Sequence, residues 1–186
     1  ASWLRTALGE AVLPPGFDLV EDPRLSRSGA SRPFDGEGLP TAARNIVADG
    51  VLGGWTLDLA TGRKLGMPST ASAVRGTSAP PSPGVSNVTL TPGAVPPAAL
   101  IRDMGRGLVV TSMLGASINP TTGDYSRGAA GFWVENGQIA WPVNECTIAG
   151  SLREMLMRIT AANDLPDWRS HRVPSLLVEG MTVAGS

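Results

Sequence analysis

The stretch that most constrains this chain is residues 128–143, where Asn136-Gly137 lies between two runs with a two-residue alternation. Asn-Gly suits the positive φ angles of a type I′ turn, and a two-residue turn fixes the register of the strands it joins. The hairpin so predicted pairs Val134 with Ile139, Phe132 with Trp141 and Ala130 with Val143 on one face. Glu135 with Gln138 and Trp133 with Ala140 fall on the other. Period-two patterning of this kind commits the segment to a half-buried sheet.

Around that hairpin the local signals are punctuated by Gly and Pro. A helix is predicted over 152–162, with Ser151 and Glu154 as a capping box and Leu152, Met155, Leu156 and Ile159 as one apolar stripe. Asn163-Asp164 and Pro166 end it. A second hairpin, 43–48 with 51–58, turns at Asp49-Gly50 and sets Val47 opposite Leu52 and Ile46 opposite Gly53. A helix runs from Asp58, its N-cap, to Leu65, with Gly66 as the stop. Another spans 97–104, with Pro97 in the first turn and Gly105 past the end. Residues 3–8 read as the end of a helix stopped by Gly9. Strands are expected at 17–21 and 87–91, a buried strand at 107–114, and a strand pair at 175–179 and 181–184 around Gly180. Residues 22–40 form an irregular loop, and 69–86 a mobile one. The fold class is α+β, a mixed, mostly antiparallel sheet with a few short helices, without an internal repeat.

Composition narrows the chemistry. With 15 basic and 16 acidic residues the formal net charge is −1, so no long-range field favours nucleic acid or an anionic membrane. No apolar run approaches the ~20 residues of a membrane helix, and no signal peptide is visible. The chain opens on Ala1-Ser2-Trp3, as expected of a segment cut from something longer.

Zinc needs three or four His, Cys or carboxylate ligands, and this chain offers one His and one Cys without an H-E-x-x-H run. His171 lies in a polar stretch and reads as solvated; Cys146 reads as a buried structural thiol. A Cys146–His171 dyad is the enzymatic alternative. No G-x-S-x-G elbow or phosphate loop is present. Asp35, Glu37 and Asp124 are a candidate metal or general-acid set, though their spacing does not demand it and turn chemistry explains Asp35 and Asp124 as well. No residue is therefore assigned as catalytic or metal-binding.

The segment TGDYSRGAAGFWVENG at 122–137 is the most unusual. Its small residues, Gly128, Ala129, Ala130 and Gly131, admit a close backbone neighbour, either another strand or a peptide ligand. Asp124, Ser126 and Arg127 are the candidate peptide contacts. For Arg127 two readings stand: forked recognition of a carboxylate, or a bond to a carbonyl or to Asp124.

SRPFDGEGLPT at 31–41, GRKLGM at 62–67, GDYSRGAAGFWVENG at 123–137, PVNECTIAG at 142–150 and the terminal EGMTVAGS together resemble the TldD/PmbA family of metallopeptidases. The likeness is closer to the PmbA (TldE) branch and runs nearly the whole chain. It implies that residues 1–186 are the later part of a C-terminal domain, preceded in full-length members by an N-terminal domain and the start of the C-terminal one. It also implies a cytoplasmic peptidase for unfolded or precursor peptides. In that family a TldD-type subunit holds zinc through an HExxxH helix and a later cysteine, and pairs with a PmbA-type subunit. This chain is then expected to carry no cofactor, with zinc in the TldD-type partner, and to contact neither nucleic acid nor membrane. Cys146 replaces what is usually an aliphatic residue in the branch. The family's STGNA or STGHA run appears here as Ser69-Thr70-Ala71-Ser72-Ala73. The alternative reading is a non-enzymatic binding or regulatory module of the gyrase-modulator type.

Overall fold

The computed structural model describes residues 7–185. The predicted end of a helix at 3–8 lies mostly outside the described residues. Along the chain the elements are β1 (Leu19–Glu21), β2 (Arg44–Ala48), β3 (Val51–Leu52), α1 (Leu59–Leu65), β4 (Ala73–Val74), β5 (Ser82–Pro83), β6 (Val88–Leu90) and α2 (Pro97–Met104). They continue with β7 (Gly107–Ile118), β8 (Asp124–Glu135), β9 (Gln138–Ser151), α3 (Leu152–Met157), β10 (Ile159–Ala161), β11 (His171–Arg172), β12 (Leu176–Val178) and β13 (Thr182–Ala184). The mixed, mostly antiparallel α+β class is the one observed.

The chain divides into two compact units. One comprises Pro15–Thr91 and Pro166–Val173. Its sheet has the order β11-β6-β1-β2-β3, antiparallel except for the β11–β6 pair. The Asp49-Gly50 turn forms as its dipeptide demands, with φ of 47° and 79°, and Val47 faces Leu52. Asp58 caps α1 by accepting from the Thr61 N–H at 2.6 Å, and Gly66 ends the helix in the left-handed region. Glu21 is the polar centre of this unit. Its buried carboxylate meets the Arg44 guanidinium at 2.8 Å and accepts from the Ser86 N–H and hydroxyl at 2.7 and 3.0 Å. Arg44 also donates to the Trp55 carbonyl and the Thr56 hydroxyl. Such satisfaction on both sides is what a buried charge requires.

The other unit comprises Ala1–Pro14, Pro92–Leu165 and Pro174–Ser186. Its sheet runs β13-β9-β8-β7, antiparallel throughout. Asn136 and Gly137 take φ of 53° and 73°, and Val134 pairs with Ile139. Beyond that pair the expected register slips by one residue. Trp133 faces Trp141 and Phe132 faces Pro142, so the predicted Phe132–Trp141 and Trp133–Ala140 pairs do not form. A bulge after Val134 is the cause, and a bulge sets two residues against one. A further bulge falls on β9 between Val143 and Cys146, opposite Ala129 and Gly131, and others fall on β7 between Val110 and Ser112 and between Leu114 and Ser117. Ala129, Cys146 and Ile148 are buried on one face, with Leu108, Val110, Tyr125, Val143 and Met181 packed against them. Burying one such aliphatic side chain contributes about 2 kcal/mol.

Three expectations are corrected here. The predicted helix at 152–162 stops at Met157, because Ile159–Ala161 pair with β12 instead. Ile159 is buried in that strand, and Ser151 makes no side-chain cap bond. The strand pair around Gly180 is not a hairpin: β12 joins β10, whereas β13 joins β9. The strand at 107–114 is longer than expected and largely uncovered, with Leu114 69% exposed.

The glycine at 131 is required by strand packing. A Cβ there would lie 1.9 Å from the Val109 carbonyl oxygen, a backbone atom that cannot swing aside. Gly131→Ala is expected to destabilise this unit by about 3 kcal/mol, read as a lower midpoint in urea unfolding. Unchanged stability would show that β7 can retreat from β8.

Candidate functional site

The expected contact residues Asp124, Ser126 and Arg127 all lie on β8, an inner strand of the four-stranded sheet. Strand alternation separates them. Asp124 and Ser126 face one side, and Arg127 faces the side of Ala129, Cys146 and Ile148. The Asp124 carboxylate accepts from the Thr122 hydroxyl at 2.6 Å and keeps the exposed turn before β8 closed. Arg127 donates from Nε to the Gly115 carbonyl at 2.7 Å, the carbonyl-bonded arrangement of its two readings. Gly131 and Gly128 leave room for β7: a Cβ on Gly128 would touch Leu114 at 3.4 Å.

Residue-by-residue reading of the sequence missed the outer side of β7. It is the last strand in its sheet, and among the described residues it has no partner beyond it. From Gly107 to Ile118 it contains no charged residue and no proline. Edge strands usually carry charge, proline or bulges that discourage pairing. Here only the bulges are present. Met113, Leu114 and Ile118 are exposed along it. The absence of charge over 107–118 was the available signal. At the start of β7, the Arg106 guanidinium lies 5.5 Å from the centroid of the Trp133 ring, which stacks on Trp141 at 6.5 Å.

A family model described as the PmbA/TldA metallopeptidase C-terminal domain matches residues 1–185. The chain belongs to the PmbA/TldD metallopeptidase family. It is 40% identical over its whole length to "Metalloprotease PmbA" of Escherichia coli O157:H7, and 43% identical to the PmbA homologue of Haemophilus influenzae. It spans 39% and 40% of those relatives. A crystal structure from Bacteroides thetaiotaomicron, described as a presumed modulator of DNA gyrase, superposes with a TM-score of 0.88 at 31% identity. That match covers 100% of this chain and 40% of the other. TldE of Thermococcus kodakarensis shares the fold, with a TM-score of 0.86 at 24% identity, over 98% of this chain and 43% of that one.

PmbA/TldD members are named as metallopeptidases, so the donor groups of this segment were tested against a zinc ion. No cluster of three or more His, Cys, Asp or Glu side chains occurs among the described residues. Cys146 is buried, and its thiol donates to the Ala129 carbonyl at 3.0 Å. His171 is exposed on β11, in the other unit. The donor groups among the described residues do not assemble a zinc site, and the Cys146 thiol is already bonded within its own sheet.

The family's acidic loop has a structural role. Asp35 is buried and accepts from the backbone N–H groups of Glu37, Leu39 and Ala73 at 2.9, 2.9 and 3.1 Å. Burial pushes its carboxyl upward, but those three bonds and the Arg32 charge outweigh burial and hold it below the usual carboxylate range. Glu37 accepts from the Leu59 N–H at the start of α1. Asp35 thus serves its loop and Glu37 serves α1, while Asp124 serves the turn before β8.

The stretch expected to be a mobile loop is tied down at its start. The Thr70 hydroxyl accepts from the Leu57 N–H at 2.8 Å, and the Ser69 hydroxyl donates to the Leu57 carbonyl at 3.1 Å. Ser72 and Ala73 are buried, and β4 pairs with β5. Ala71 takes φ of 53°. An L-residue with a side chain is strained in that region.

Two outcomes are expected. Ala71→Gly stabilises the unit by about 1 kcal/mol in urea unfolding, provided the φ value is retained. Asp35→Asn lowers stability at neutral pH by about 2 kcal/mol. The native Asp35 contribution is present above the unfolded pKa of about 3.9 and lost as pH falls through the lowered folded value. The variant should therefore lose less stability than the native chain when acidified. Parallel acid-unfolding curves would show that Asp35 is not the titrating anchor.

Proposed function

We propose that this chain is the later part of a PmbA/TldE-like subunit of a cytoplasmic, zinc-dependent peptidase for unfolded or precursor peptides. In this reading the subunit carries no metal; zinc and bond cleavage belong to a TldD-type partner. The observation that carries it is the uncharged outer edge of β7 in a metallopeptidase-family chain whose side chains, among the described residues, assemble no metal site. An extended peptide laid along β7 is held through main-chain hydrogen bonds, which tolerate varied side chains. Asp124 and Ser126, on one face of the neighbouring strand, are the candidate side-chain contacts, and Arg127 acts from the other face. No helix among the described residues is long and apolar enough to cross a membrane.

A second reading is a non-enzymatic regulatory module, supported by the gyrase-modulator description of the Bacteroides structure. The net charge of −1 favours a protein target over DNA for such a module.

The test is to purify the full chain with and without a TldD-type partner, then measure bound metal, peptide cleavage and backbone amide exchange. The expected result is zinc and cleavage only when the partner is present, with exchange over 107–114 slowed by an extended uncharged peptide. Stoichiometric zinc in the full chain alone would refute the division of labour. Gyrase binding without any cleavage by the reconstituted pair would favour the regulatory module.

A further inference from the structure

The geometry points to Arg127 as a positioning residue that fixes where a strand bound to β7 must stop. This inference rests on the reading that β7 receives an extended peptide. β7 and β8 are in regular register from Ser112↔Ala130 to Leu114↔Gly128. The register then breaks, and pairing resumes at Ser117↔Ser126. At the break Gly115 takes φ of 68°, a left-handed value that interrupts the extended backbone. Its carbonyl accepts from Arg127 Nε at 2.7 Å. One acceptor position of that oxygen is thereby taken by the protein's own sheet, which makes it a poorer partner for the N–H of an incoming chain.

Arg127 is suited to this task. Its register partner on β9 is the buried Ile148, which anchors the strand from which the side chain reaches back to β7. The Nε–H of a guanidinium is fixed in the plane of the group, so it directs a carbonyl more firmly than a rotating ammonium does. The consequence is a capture edge of defined length, Gly107–Leu114, closed at its far end by a side chain of the neighbouring strand. Within that edge Thr111 sits at the first bulge, and its hydroxyl donates to the Ala130 carbonyl at 3.2 Å. The edge is thus pinned to β8 at both irregular points.

The experiment measures binding of uncharged Ser/Val peptides, shorter than, equal to and longer than the 107–114 stretch, to the full chain. For the native protein, affinity should rise about threefold to fivefold for each added backbone hydrogen bond and level off once the peptide spans the stretch. In Arg127→Ala the gain should continue for longer peptides, because the Gly115 carbonyl is released. Arg127→Lys keeps a donor and the charge and should restore the levelling. If the Ala variant does not fold, Arg127→Leu, which keeps the aliphatic stem but has no donor for Gly115, carries the same comparison. An unchanged levelling point in the folded variant overturns the role of Arg127 and leaves peptide capture standing. No binding of any peptide to the native chain overturns both.

Discussion

The long sheet depends on how its central turn is seated. Asn136-Gly137 sits against the end of α2: the Gly137 N–H donates to the Gly105 carbonyl at 2.8 Å. A Cβ on Gly137 would lie 2.7 Å from the Arg102 carbonyl oxygen. The turn is therefore held by its own φ values and by a helix end that only glycine can approach. With that point fixed, β8 and β9 have one register near the turn, and every later misfit must be absorbed by a bulge. The bulges beside Val134, opposite Ala129 and Gly131, and along β7 are where the misfit goes. They restore the alternation that buries Ala129, Cys146 and Ile148 together.

What the sequence made legible divides by range. Elements set by one or two neighbouring residues appear where their local chemistry puts them: α1 between Asp58 and Gly66, α2 between Pro97 and Gly105, and the Asp-Gly and Asn-Gly turns. Elements set by distant partners do not. Leu152, Met155, Leu156 and Ile159 satisfy a helical stripe, yet β12 offers Ile159 a ladder and a buried position. The segment around Gly180 has two good strands and a turn residue, but each strand finds its hydrogen bonds in a different sheet. Nothing within ten residues of Gly180 encodes that choice. The one-residue slip after Val134 is similar, because alternation alone cannot announce a bulge.

The candidate site was legible in the same uneven way. Arg127 stood out by residue type, but the carbonyl it meets is on another strand. Asp35 and Glu37 were candidates for a metal or general-acid set, and loop chemistry is the better account, with Asp35 also accepting a bond from the distant Ala73 N–H. Ala71 is the opposite case. Its place in the run says nothing of conformation, and the φ of 53° there makes it first a question of backbone strain.

Edges and side chains recognise different things. A metal site or a catalytic dyad needs a few groups at fixed distances, and one substitution removes it. A strand edge presents the repeating main chain, so its recognition survives side-chain change on both partners. What an edge needs is protection from indiscriminate pairing, and charge or proline on the strand would protect it at the expense of any guest. β7 carries neither, and its interruptions come instead from the Thr111 and Gly115 bulges, each bonded back to β8. In the proposed capture of an extended partner, this form of protection leaves Gly107–Leu114 available, and the Arg127 bond at Gly115 marks its end.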